Sequence, residues 1–195
     1  MRTKDEIRAL IREKRRGLDP AWVDASSVSV ARQVADLAEF RKASVVAAYV
    51  AMPGEVRTDA LIERCWEERK TVCVPAYRQD LGRYELAGMD RDTRMILGLA
   101  RILEPDERDW VGVDRVELML VPGLAFDAAG GRVGHGQGHY DRMLGQARTG
   151  TPIKVALAFE FQILDRVPMD ETDARMDLIV TEARVIRATS AARAI

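Results

Sequence analysis

Cysteine is almost missing from this chain of 195 residues: there are two, Cys65 and Cys73. They lie in an expected helix and the strand after it, without metal-ligand spacing, and they exclude a disulfide framework. Long apolar runs are missing too. Val45–Tyr49 and Leu118–Val121 are among the longest, far short of the roughly 18 residues a membrane span needs. Charge of one sign is not in excess: 30 basic residues face 31 acidic ones, for a net charge of -1. That balance, with no interleaved aromatic patch, argues against bulk electrostatic binding to nucleic acid or membrane. The first 16 residues are basic but broken by Asp5, Glu6 and Glu13, unlike a transit peptide, and lack a secretory apolar stretch. No repeat, low-complexity segment or linker divides the chain. The expectation is one cytoplasmic domain spanning 1–195, with a frayed tail over about 188–195.

What is present alternates helix and strand. Thr3-x-x-Glu6 is a capping box that opens a helix ending at Gly17. Asp19-Pro20 restarts a helix to about Arg41. Ser44–Val50 reads as a buried strand, Thr58 caps a helix to about Arg69, and Thr71–Ala76 is the next strand. This strand–helix–strand order predicts a parallel βαβ unit. Further strands are expected at Tyr84–Ala87, Glu117–Val121, Ile153–Ala158 and Asp177–Thr181, with a helix from Gly138 to Gln146; 88–114 gives no clear signal. The pattern predicts a single-domain, three-layer α/β/α fold with a mostly parallel central sheet.

The richest segment runs from Val121 to Arg142. It leaves a buried strand and enters a helix, and ligands bind open α/β sheets beyond the carboxyl ends of strands. Glycines at 130, 131, 134, 136 and 138 permit positive φ and close backbone approach. Such a loop can offer a nest of N–H groups to an anion, and Arg132 can pair with a phosphate. No Gly-Lys-Ser/Thr follows, so it is not a Walker A loop, and position 139 lacks the third glycine of a dinucleotide fingerprint. Asp141, in the first helical turn, suits either Mg²⁺ beside a phosphate or simple helix-end charge. On a helical wheel Lys4, Arg8, Arg12 and Arg15 fall within an arc of about 80°, either a solvated face or an anion-binding edge. Glu55 follows a strand end, where a carboxylate can pair bidentately with adjacent N–H groups. His135 and His139 are the two histidines, four apart; no third zinc ligand is evident.

The stretch Gly131-Arg-Val-Gly-His-Gly-Gln-Gly-His-Tyr-Asp-Arg142, with Pro122-Gly-Leu-Ala-Phe-Asp127 before it, resembles the signature of the 5-formyltetrahydrofolate cyclo-ligases, also called methenyltetrahydrofolate synthetases. The resemblance continues through Lys4-x-x-x-Arg8, Tyr49 to Thr58, Glu104-Pro105, Gln162, Pro168-x-x-x-x-Asp173 and Asp177–Glu182. It implies a ligase of one-carbon metabolism that uses Mg-ATP to cyclise 5-formyltetrahydrofolate to 5,10-methenyltetrahydrofolate. In that chemistry the formyl oxygen is phosphorylated, N10 attacks the activated carbon, and ADP and phosphate are released. The resemblance further implies ATP contacts by Lys4, Arg8, Arg132, Val133, Gly134, His135, Gly136, Gln137, Gly138, His139 and Tyr140, with Arg132 catalytic. Folate contacts fall to Val50, Met52, Glu55 and 135–139, and Mg²⁺ to Asp141 and Asp173. The substrate is a small molecule, and no nucleic acid or membrane is expected as partner. The chain is expected to be a monomer or weak homodimer. The family most often carries aromatic or small residues where this chain has His135, Gln137 and His139. That departure keeps open an alternative, a non-catalytic folate- or nucleotide-binding relative.

Overall fold

The computed structural model describes residues 2–99, 102–146 and 151–189. Its helices are α1 (Lys4–Arg16), α2 (Pro20–Asp36), α3 (Ala38–Lys42), α4 (Asp59–Glu67) and α5 (His139–Leu144). Its strands are β1 (Val45–Ala47), β2 (Thr71–Arg78), β3 (Arg83–Met89), β4 (Met95–Leu97), β5 (Leu103–Pro105), β6 (Trp110–Val111), β7 (Leu118–Val121), β8 (Ala125–Phe126), β9 (Arg132–Val133), β10 (Ile153–Leu157), β11 (Leu178–Val180) and β12 (Val185–Arg187).

Eight strands form one sheet in the order β12-β11-β10-β7-β1-β2-β3-β6. The five from β11 to β2 are parallel; β12 is added at one end, and β3 then β6 at the other, each through an antiparallel pairing. The βαβ expectation holds: β1 and β2 are parallel neighbours, with Val45 opposite Thr71. β2 then turns back into β3 as a hairpin, which alternation alone did not announce. The 88–114 stretch contains a separate β4–β5 hairpin and β6.

Both sheet faces are covered, because every central strand is buried on both sides. On one face Val46, Val72, Leu118, Val155 and Leu178 pack under α2, α3 and α4 through Val30, Val34, Phe40 and Leu61. On the other, Ala47, Cys73, Met119, Ala156 and Ile179 meet Phe126, Met143 and Leu144, so this layer is thin, with short α5 its main helix. The first helix covers neither face. Ile7 and Ile11, both fully buried, pack on Leu124, Ala125, Val133 and Val167, against the β8–β9 hairpin at the carboxyl end of the sheet.

The structure corrects four local expectations. The helix from Pro20 does not run to Arg41: Leu37 is extended (φ -64°, ψ 132°), ending α2 and opening α3. That change of axis brings both Leu37 and Phe40 into the core. The first strand stops at Ala47, so Val50 already lies in the following turn. Thr58 makes no side-chain cap; its hydroxyl donates instead to the Tyr49 carbonyl. Ala188 and Thr189 are not frayed, since their N–H groups donate to Asp177 and Ala128; positions 190–195 lie outside the described residues.

Candidate active site

Because β1 and β7 are parallel neighbours, their carboxyl ends emerge side by side. The turn to Glu55 and the Pro122–Gly123 step therefore share one rim of the sheet. Arg15, from α1, ties them together: Nη2 donates to the Gly123 carbonyl at 2.7 Å and Nη1 lies 3.4 Å from Glu55 Oε1. Glu55 is buried. Its Oε2 accepts from the Met52 N–H at 3.1 Å, and His135 Nε2 sits 3.1 Å from Oε1. Burial works to lower the Arg15 pKa and outweighs the neighbouring Glu55 charge, yet a guanidinium stays charged.

The Gly-rich segment is not one open loop. Asp127 organises its first half, accepting from the N–H groups of Ala129 and Gly131 on one oxygen and Val167 on the other. The chain then pairs as β8–β9 before opening at Gly134. A Cβ on Gly134 would meet Arg132 Nη1 at 2.8 Å, so only glycine lets the guanidinium lie there. Gly136 has φ +104°, a conformation other residues rarely adopt. The backbone N–H groups of Gly134 to Gly138 donate no hydrogen bond among the described residues.

The basic edge of α1 faces this loop. Arg8 Nε donates to the Gly134 carbonyl at 3.0 Å and Arg12 Nη2 to the His135 carbonyl at 3.1 Å. Lys4 Nζ lies 2.6 Å from Asp170 and 2.5 Å from Asp173. Burial works to lower the Lys4 pKa, but its hydrogen bonds to Asp170 and Asp173 and their charges outweigh it and the net shift is upward. Burial likewise works to raise the Asp173 carboxyl, yet the Asp170 N–H and Lys4 hold it below its usual value. Arg132 is buried, its Nη2 2.8 Å from Asp141 Oδ1 and its Nε without a partner among the described residues. The guanidinium lies over the Tyr140 ring, 5.6 Å from its centroid. Burial and then Glu55 push the Tyr140 phenol upward against Arg132, so it stays protonated.

The two histidines face different partners. His135 meets Glu55, whereas His139 Nε2 lies 2.6 Å from Gln137 Oε1 and its Nδ1 3.0 Å from Arg142. Burial, then the Arg142 charge, hold the His139 pKa below its usual value. A neutral ring donating to Gln137 and accepting from Arg142 satisfies both contacts.

Lys4, Arg8, Glu55, Arg132, both histidines, Tyr140, Asp141 and Asp173 border one cavity of about 530 Å³. Every residue that the resemblance assigns to ATP, folate or Mg²⁺ lines it: Lys4 and Arg8, Val50, Met52 and Glu55, the whole run 132–141, and Asp173. Arg12, Tyr49, Tyr84, Ile102 and Asp170 join them without having been assigned a role. The helical-wheel arc includes Arg12 but leaves its role open; nothing local marks Tyr84 or Ile102, which arrive through the β2–β3 pairing and the β4–β5 hairpin.

The cavity's cations and free loop amides suit the phosphates of a nucleotide. Among the described residues no three His, Cys, Asp or Glu side chains cluster as a metal cage. Mg²⁺ needs none, since it takes one or two carboxylates alongside phosphate and water oxygens. Asp141 and Asp173 fit that role. The Ala174 N–H on Asp141 Oδ1, at 3.3 Å, joins their segments, and each acid keeps one oxygen free of hydrogen bonds among the described residues.

Known proteins match this chain over nearly its whole length. The 5-formyltetrahydrofolate cyclo-ligase family matches over residues 1–182. The 5-formyltetrahydrofolate cyclo-ligase of Haemophilus influenzae is 30% identical over 181 residues, covering 91% of this chain and 97% of that protein. The Escherichia coli protein of that name is 28% identical over 179 residues, covering 90% and 98%. The solution structure of the Aquifex aeolicus 5,10-methenyltetrahydrofolate synthetase superposes with a TM-score of 0.85 at 31% identity, covering 98% of this chain and 95% of that one. Matches that run nearly the length of both partners, in sequence and in backbone, lead to one statement: the chain belongs to the 5-formyltetrahydrofolate cyclo-ligase family.

Proposed function

We propose that this protein is an ATP-dependent cyclo-ligase that closes 5-formyltetrahydrofolate to 5,10-methenyltetrahydrofolate, releasing ADP and phosphate in the cytoplasm. One observation carries the reading: a single cavity joins a cation-rich end, at Lys4, Arg8 and Arg132, to an end built on the buried carboxylate of Glu55. The reaction needs both, a phosphate site and a site for the flat, N–H-rich pterin, within reach of each other.

The N5-formyl group is a formamide and a poor electrophile. Phosphorylating its oxygen turns that oxygen into a leaving group, after which N10 attacks the carbon and phosphate departs. The formyl oxygen supplies the nucleophile for the first step, so no protein nucleophile is required. The protein's contribution is positioning and charge stabilisation, as in other phosphoryl transfers. Arg132, Lys4, Arg8 and the 134–138 amides hold the phosphates. Asp141 and Asp173 hold Mg²⁺, which when bound neutralises charge developing on the transferred group. Glu55, fixed by Arg15 and the Met52 N–H, accepts from the pterin amino and ring N–H groups, with Val50 and Met52 beside it. Holding N10 near the formyl carbon makes ring closure intramolecular, worth up to roughly 7–11 kcal/mol in ideal cases.

The test is to mix protein, 5-formyltetrahydrofolate and Mg-ATP and follow the near-ultraviolet absorbance of the methenyl product, with ATP omitted as control. An ATP-dependent rise matched by ADP release is expected. Binding of either ligand without turnover would instead support a non-catalytic relative, and neither binding nor turnover would sink the reading.

A further inference from the structure

The cations that the proposed nucleotide site requires are not waiting free. Lys4 is held by Asp170 and Asp173 at 2.6 and 2.5 Å, and Arg132 by Asp141 at 2.8 Å. Two of those acids, Asp141 and Asp173, are the carboxylates suited to the metal. Each proposed phosphate ligand is thus paired with a proposed metal ligand, and both pairs border the same cavity.

We propose that nucleotide and metal enter this site by charge exchange: phosphate oxygens take Lys4 and Arg132 from their carboxylates, and the released carboxylates pass to the metal. Asp170 is the odd member. It pairs with Lys4 but is mostly exposed, with 73% of its side chain accessible, and it acts as a displaceable counter-ion. This inference rests on the assignment of the cation-rich end to ATP.

The physical argument is a charge count. Free ATP approaching Lys4 meets three carboxylates in the same cavity and must break both ion pairs while leaving those acids unpaired. Free Mg²⁺ meets the same two cations and must break the same pairs. Together they satisfy both cations and both metal-binding carboxylates, so each raises the other's affinity by the same factor. The chain uses one set of ion pairs to keep its empty site neutral and to make either ligand alone a poor occupant.

Calorimetric titration of the full-length protein with ATP, in Mg²⁺ and in EDTA, tests this without any turnover. For the unaltered protein the expected ratio of affinities is about 5- to 150-fold in favour of Mg²⁺, the usual span of site-to-site coupling. Asp170→Asn should tighten ATP binding about two- to fivefold in both buffers, the span of an exposed ion pair removed. Asp173→Asn should tighten ATP binding in EDTA and narrow the ratio between the buffers. Both variants keep side-chain volume, and a single cooperative melting transition for each verifies that they fold. If neither variant tightens binding in EDTA, the exchange is wrong although the ATP site stands. If the unaltered protein fails to bind ATP even with Mg²⁺, the ATP assignment falls and the exchange falls with it.

Discussion

Arg132 has the most constrained surroundings of any charged side chain in the cavity. It is buried, one edge is held by Asp141, and the Pro122 carbonyl accepts from the other at 3.3 Å. Its position is set by a glycine that leaves room and by Tyr140 beneath. Once phosphate has taken it from Asp141, a guanidinium kept in place by the Pro122 carbonyl and Tyr140 is already aimed at charge that develops in the transition state. Arg132→Ala should therefore lower turnover about 100-fold or more, by analogy with removal of one oxyanion donor. Steady-state kinetics would check it, and near-normal turnover would remove Arg132 from the chemistry. At this scale the sequence was legible wherever a residue sits in a local motif. Arg132, Gly136 and Asp141 could be picked out because they are neighbours along the chain. Arg15 and Asp170 were not assigned, because what gives them meaning is a partner more than 30 positions away: Glu55 for one, Lys4 for the other.

Several motif residues frame the site without lining it. Gln162 is fully buried, donates to the Gly123 and Leu124 carbonyls and accepts from the Phe159 N–H, locking the turn after β7 to the end of β10. Asp127 holds three N–H groups and sets the shape of the β8–β9 hairpin. Removing a partner from a buried donor costs about 1–3 kcal/mol per group left unsatisfied. Asp127→Ala should therefore destabilise by at least that amount and weaken ATP binding through the displaced loop. A melting curve and a titration would show both, and an unchanged melting temperature would contradict the hairpin's dependence on Asp127. Sequence periodicity found the five parallel strands and the βαβ unit because those strands are apolar throughout. It left 88–114 blank since β4, β5 and β6 are two or three residues long, and pairing with distant strands fixes them. It also ran α2 through Leu37, since the break there is decided by packing of Phe40 and not by any Gly or Pro.

Across the whole molecule α1 is bound to the rest by charge as well as by Ile7 and Ile11. The link between Lys4 and Asp173 has a defined pH window. The Asp173 carboxyl is held below 3.8, so its contribution is present above that value and is lost as pH falls through the lower folded value. The Lys4 ammonium is held above 10.5, so its contribution is present below that value and is lost as pH rises through the higher folded one. Asp173→Asn should thus narrow the difference in melting temperature between neutral and strongly acidic solution, measured at fixed ionic strength. An acid dependence identical to that of the unaltered chain would show that the pair does not couple α1 to the 170s segment. The same links span great distances along the chain: Lys4 to Asp173, Arg8 to Gly134, Arg12 to His135, Arg15 to Gly123. The ribosome makes α1 before any of them, and every one of those partners emerges more than 100 residues later. The cavity is consequently among the last features to close during synthesis, and a chain stopped short of Asp170 carries a Lys4 whose counter-charges have not yet been made.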